Sequence, residues 1–168
     1  KKISDIDDLL YSGADKIVIN TELYSNPDLL NEASNKFGSQ TIVAAIDFKK
    51  TKGEYRCFKN SGREMVNRDP VEWAKECAKR GAGEIILTSI ERDGLMKGYD
   101  NYLIKKIASI VDIPIIASGG AGNYQHMYDA INLGASAVTA ASIYHFTEQT
   151  PSEAKKFLQA KNINIRRN

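Results

Sequence analysis

Five short apolar runs punctuate the chain, at 16–20, 41–47, 84–88, 113–118 and 137–141. They are continuous stretches of Val, Ile and Ala rather than alternating ones, the pattern of parallel strands covered on both faces. Between them apolar residues recur at helical spacing. Ile3, Ile6, Leu9 and Leu10 share one face before Gly13. Leu29, Leu30, Ala33 and Phe37 follow Asn26-Pro27 and stop at Gly38. Val71, Trp73, Ala74, Cys77 and Ala78 follow Asp69-Pro70 and stop at Gly81. Proline in a first turn and glycine past a last one are the expected helix boundaries. Further helices are predicted over 102–110, 124–133 and 152–160, and Asp100 is placed to cap the first of these. One segment breaks the alternation. Residues 51–67, with a strand-like piece at 54–58 and turn signals at Gly53 and Ser61-Gly62, read as a hairpin excursion over one end of the sheet. Long loops in compact α/β units usually serve binding.

Repeated βα units permit an open doubly wound sheet or a (β/α)8 barrel, and periodicity does not choose between them. In both, the carboxyl ends of parallel strands face the ligand. Those ends are polar here: Asn20-Thr21, Asp47 with Lys49, Thr88 through Asp93-Gly94, Ser118-Gly119-Gly120, and Ala141-Ser142. The last two run toward helices, so bare backbone N–H groups can meet an anion. A lone Gly-Gly is an ordinary tight turn, but two such loops on successive units favour phosphate. Asp47 follows the apolar run Ile42-Val43-Ala44-Ala45-Ile46, so it is predicted to sit where its strand leaves the core. A partly buried carboxylate there suits general acid or base work. Pairing with Lys49 is the plainer alternative.

Composition narrows the field. With 168 residues, 42% hydrophobic and 26% charged, the chain can bury a proper core. A net charge of +2 gives no reason to expect nucleic acid. No apolar run reaches the length of a membrane span. Two cysteines without a CxxC pair and two distant histidines argue for a cytoplasmic protein without a metal site. Cys57, Cys77 and Trp73 are expected in the core. The first helix precedes any strand, so the sequence reads as beginning in mid-fold.

The segments KIVINT, FGSQTIVAAID, RGAGEIILTSIERDGLMKGYD, IIASGGAG and AASIYHF resemble the cyclase subunit (HisF) family of imidazole glycerol phosphate synthase, in order and over nearly the whole chain. The resemblance implies the C-terminal five βα units of a (β/α)8 TIM barrel, residues 1–168 forming one partial barrel domain with the N-terminal strands absent. It implies histidine biosynthesis: a HisH-like glutaminase partner supplies ammonia, which reacts with the phosphorylated small molecule PRFAR to give imidazole glycerol phosphate and AICAR. No cofactor is called for. Asp47 matches one of two catalytic aspartates; the other belongs to a first strand that this sequence lacks. Asn20, Thr21, Lys49, Ser61, Thr88, Asp93, Gly94, Ser118, Gly119, Gly120, Ala141 and Ser142 match substrate- and phosphate-binding positions. Lys16 and Glu84 match an ammonia gate, and Asp15 and Gln40 the glutaminase-docking face. Leu95 stands where the family usually has Thr, and the segments GREMVNRDPVEWAKE and DGLMKGYD resemble a paralogous branch that supplies ammonia for amidation of a surface-polysaccharide sugar. A non-catalytic half-barrel that self-associates through its open edges is the remaining alternative.

Overall fold

The computed structural model describes residues 2–166. Its elements are α1 (Ile3–Tyr11), β1 (Ile17–Ile19), α2 (Thr21–Ser25), α3 (Asp28–Phe37), β2 (Ile42–Thr51), β3 (Glu54–Lys59), β4 (Glu64–Val66), α4 (Pro70–Lys79), β5 (Glu84–Ser89), α5 (Asn101–Ala108), β6 (Ile115–Ser118), α6 (Tyr124–Asn132), β7 (Ala137–Val138), α7 (Ser142–Phe146) and α8 (Pro151–Ala160). The fold is mixed α/β. Strands β1, β2, β5, β6 and β7 pair in parallel in that spatial order, and β3 and β4 add an antiparallel hairpin to β2.

The helices begin where the capping chemistry requires. The Asp69 carboxylate accepts from the N–H groups of Val71 at 2.8 Å and Glu72 at 3.2 Å, with Pro70 in the first turn. Asp100 accepts from Leu103 N–H at 3.0 Å and Asn123 from His126 N–H at 2.9 Å. Thr150 and Glu153 exchange side-chain and backbone bonds at the start of α8. Each cap satisfies a donor that the helix itself cannot.

Strand boundaries shift by one or two residues in β1, β5 and β6 and by more in β2 and β7. β2 does not end at Asp47 but runs on to Thr51, because its ladder with β3 begins at Asp47↔Phe58 just where the pairing with β1 has stopped at Ile19↔Ala44. The expected hairpin is therefore an antiparallel extension of the sheet. β7 covers only two residues of the expected five.

Burial separates the two faces of the sheet. Ile42, Ala44, Ile46 and Phe48 of β2, with Ile85 and Leu87 of β5 and Ile115 and Ala117 of β6, lie buried beneath the helices. On the other face Val43 is buried, Ala45, Ile86 and Ile116 are half-buried, and Val18 is 54% exposed. The expected cover on both faces is thus complete on one and partial on the other. Trp73 packs in the core, stacked on Tyr24 at 5.1 Å and roofed by the Arg68 guanidinium at 4.4 Å. A side chain of this kind contributes about 1.5–3 kcal/mol relative to staying exposed.

Cys57 and Cys77 are free and buried, as the sequence led us to expect. Burial pushes both thiols up to about 12. The thiolate is the nucleophile, so neither should react with iodoacetamide at pH 8 while the protein is folded. Both should label within minutes in denaturant. Rapid labelling of the native protein, read by intact mass, would contradict this packing.

Candidate active site

Strand register lines up the central polar residues. Asp47 pairs with Thr88, and Thr88 pairs with Ser118, so the three form one row across β2, β5 and β6. All three are half-buried, whereas Ile46, Phe48, Leu87, Ser89 and Ala117 beside them are buried. Side chains alternate between sheet faces, so the row projects from the face opposite the helices. Asn20, the residue after β1, enters the notch where the edge of β2 passes from β1 to β3.

The Asp47 carboxyl is held above the ordinary aspartate range. Burial is the main cause, and the Asp93 carboxylate adds to it, while a hydrogen bond from the Asn20 side chain acts in the opposite direction. Burial and a like charge both penalise ionisation. The group is thereby tuned toward proton exchange nearer neutral pH. Asn20 and Asp93 are also brought into its surroundings from β1 and the β5–α5 loop. Lys49 lies two residues along β2 with its ammonium over the Phe58 ring at 4.6 Å. It does not form an ion pair with Asp47.

Thr21 and the hairpin are tied together. The backbone N–H of Asn60 donates to the Thr21 hydroxyl oxygen at 3.0 Å, which leaves the hydroxyl hydrogen free for a ligand. Asn60 and Ser61 turn the chain with φ of 53° and 58°, and Gly62 packs against Ile90. Ser61 thus stands at the hairpin tip, between anchors to both flanks of the row.

Beside the row lies a cleft of about 230 Å³. It is lined by Asp93, Gly94, Ser118, Gly119, Gly120, Ala141 and Ser142, all seven singled out from the sequence, and also by Ala121, Thr139 and Ala140. Among the described residues, the N–H groups of Gly119, Gly120, Ala141 and Ser142 donate to no protein acceptor. Such unspent amides are what an anion needs. The helix after the glycine loop contributes less than the sequence implied. α6 starts only at Tyr124, and Gly122 N–H is turned to His126 Nδ1 at 3.2 Å. Thr139, missed in the sequence, is held by the Tyr99 hydroxyl, which donates to its carbonyl at 2.8 Å. Among the described residues no cluster of three His, Cys, Asp or Glu side chains could hold a metal ion, and no helix is long and apolar enough to cross a membrane.

At the other end of the strands Lys16 Nζ donates to Glu84 Oε1 and to the Gln40 carbonyl, both at 2.8 Å. Asp15 and Gln40 are exposed beside this pair. These four residues are grouped together, at the opposite end of the strands from the phosphate-type cleft.

The profile of the histidine biosynthesis protein family matches residues 1–150. The chain is also 49% identical over 155 residues to the imidazole glycerol phosphate synthase subunit HisF of Chloroherpeton thalassium (strain ATCC 35110 / GB-78). That alignment covers 92% of this chain and 62% of the relative, so the chain spans less than two thirds of the relative's length.

Proposed function

The chain belongs to the histidine biosynthesis protein family, and from that premise we propose that it supplies the last five βα units of a (β/α)8 barrel with ammonia-dependent cyclase activity. The reaction is that of imidazole glycerol phosphate synthase: PRFAR and ammonia give imidazole glycerol phosphate and AICAR. The observation that carries the reading is the adjacency of the Asp47–Thr88–Ser118 row to a cleft rimmed by unspent amides. Gly119, Gly120, Ala141 and Ser142 hold one phosphate of the substrate, and Asn20 and Thr21 the other. Thr88, Ser118 and Ser61 supply polar contacts to what lies between. Asp47, held protonatable by its burial, moves a proton to or from the closing ring. Lys16 and Glu84 gate ammonia at the opposite mouth, where Asp15 and Gln40 face a HisH-like glutaminase. The half-covered sheet face becomes the barrel interior, and the location is the cytoplasm.

The test is steady-state turnover of PRFAR by the full-length protein with an ammonium salt as nitrogen source and no glutaminase. Formation of AICAR is expected. Absence of turnover, with the protein folded, would remove the cyclase reading and favour the ammonia-supplying paralogue.

A further inference from the structure

A second and larger cleft, about 640 Å³, opens behind the phosphate-type cleft on the outer side of the β5–α5 loop. Its residues come from four places in the sequence: Lys50 and Tyr55 from β2 and β3, Arg92 and Lys97 from the loop, Tyr102 from α5, and His126 from α6. None of them lines the cleft described above.

Charge in this cleft is unbalanced toward cations. Asp100 lines it, but that carboxylate is only 5% exposed and already occupied: it accepts from Leu103 N–H and from the Tyr55 hydroxyl, with Arg92 Nε at 3.8 Å. Glu91 stands at the edge, accepting from the Lys50 N–H at 3.3 Å. Against these two carboxylates are set Arg92, Lys50 and Lys97. The Lys50 ammonium rests on the Tyr55 ring at 5.1 Å, a contact that leaves its N–H donors free. Lys97 makes no ion pair or hydrogen bond among the described residues.

An aromatic platform stands next to the cations. Tyr55 and Tyr102 are stacked with 10° between their planes and centroids 6.0 Å apart, and Tyr102 is 63% exposed. An outward-facing ring on a fixed stack is a surface on which another flat ring can lie. Asn101, at the floor, also has its side-chain oxygen buried without a partner.

We propose that this cleft is a second ligand site that takes a nucleoside monophosphate, with the phosphate held by Lys50, Lys97 and Arg92 and the base stacked on Tyr102. The two clefts share one wall. Gly98 N–H donates to the Gly120 carbonyl at 2.7 Å, and Arg92 Nη1 reaches the Gly98 carbonyl at 3.4 Å. A ligand on Arg92 and Lys97 therefore braces the glycine loop of the first cleft.

Titration calorimetry of the full-length protein with AMP and with inorganic phosphate tests the assignment. Tyr102→Ala is expected to weaken AMP roughly tenfold and leave inorganic phosphate unchanged. Lys97→Ala should weaken both. Ser142→Asp, which places a carboxylate in the first cleft, should leave AMP binding intact. AMP binding abolished by Ser142→Asp and indifferent to Lys97→Ala and Tyr102→Ala would overturn the second site, as would no AMP binding at millimolar concentration. AMP binding that responds to Lys97→Ala but not to Tyr102→Ala would overturn the stacked base.

Discussion

Gly120→Ala is expected to destabilise the protein by about 2–5 kcal/mol and to abolish anion binding in the phosphate-type cleft. Two effects add. Gly120 has φ of 106°, a conformation L side chains rarely adopt, and an added Cβ would lie 2.3 Å from the Gly98 carbonyl oxygen and 3.1 Å from Arg92 Cβ. The obstacle is backbone, so it cannot swing aside as a side chain would. Relief would require the glycine loop to part from the β5–α5 loop, breaking the Gly98 N–H bond to the Gly120 carbonyl. The unspent amides would then lose their common direction. Gly94→Ala is the matched control. Its φ of 78° carries similar strain, but an added Cβ there meets nothing within 4 Å. It should cost about 1 kcal/mol. Urea unfolding of the two variants separates strain from collision, and equal losses would refute the close approach of these loops.

Much of this arrangement was legible in the sequence because it rests on local rules. Asp69-Pro70 and Asp100 mark helix starts through side-chain bonds to otherwise unpaired N–H groups, and both are realised. The seven residues around the phosphate-type cleft come together because each lies at or beyond the carboxyl end of a parallel strand, a relation that strand order alone imposes. The continuation of β2 beyond Asp47 was less legible. Its signal, buried Phe48 between half-buried Asp47 and Lys49, is a period-two alternation that starts where a period-free apolar run ends. What decides it is the antiparallel partner β3, which lies in the segment taken for an excursion. Helices α2 and α7 have five residues each, too few for a helical period to register. The cationic cleft was not legible at all. Lys50, Arg92, Lys97 and His126 are scattered polar residues in the chain and acquire meaning only when the hairpin, the β5–α5 loop and α6 meet.

Asp47→Asn is the other change of large expected effect, and it separates catalysis from folding. The amide keeps the size of the carboxyl but can neither accept nor release a proton in the relevant range. General acid–base help is worth about 10²–10⁴-fold, and turnover of PRFAR with ammonium salt should fall by at least that factor. KM should change little, since the amides proposed to hold phosphate lie in the neighbouring cleft. Stability should move the other way, with a pH dependence fixed by the sign of the shift. The folded-state pKa is raised, chiefly by burial and then by Asp93. The stability of the neutral carboxyl is therefore fully present below the unfolded value of about 4 and is lost as pH rises through the folded one. Above that folded value the wild-type protein carries the ionised, half-buried group, and Asp47→Asn removes that penalty. Its Tm should exceed that of wild type at pH 7, and the difference should vanish at pH 3. Near-normal turnover in Asp47→Asn would end the catalytic assignment. A lower Tm at pH 7 would mean instead that the carboxylate serves the fold, through its bond with Asn20, more than it serves the reaction.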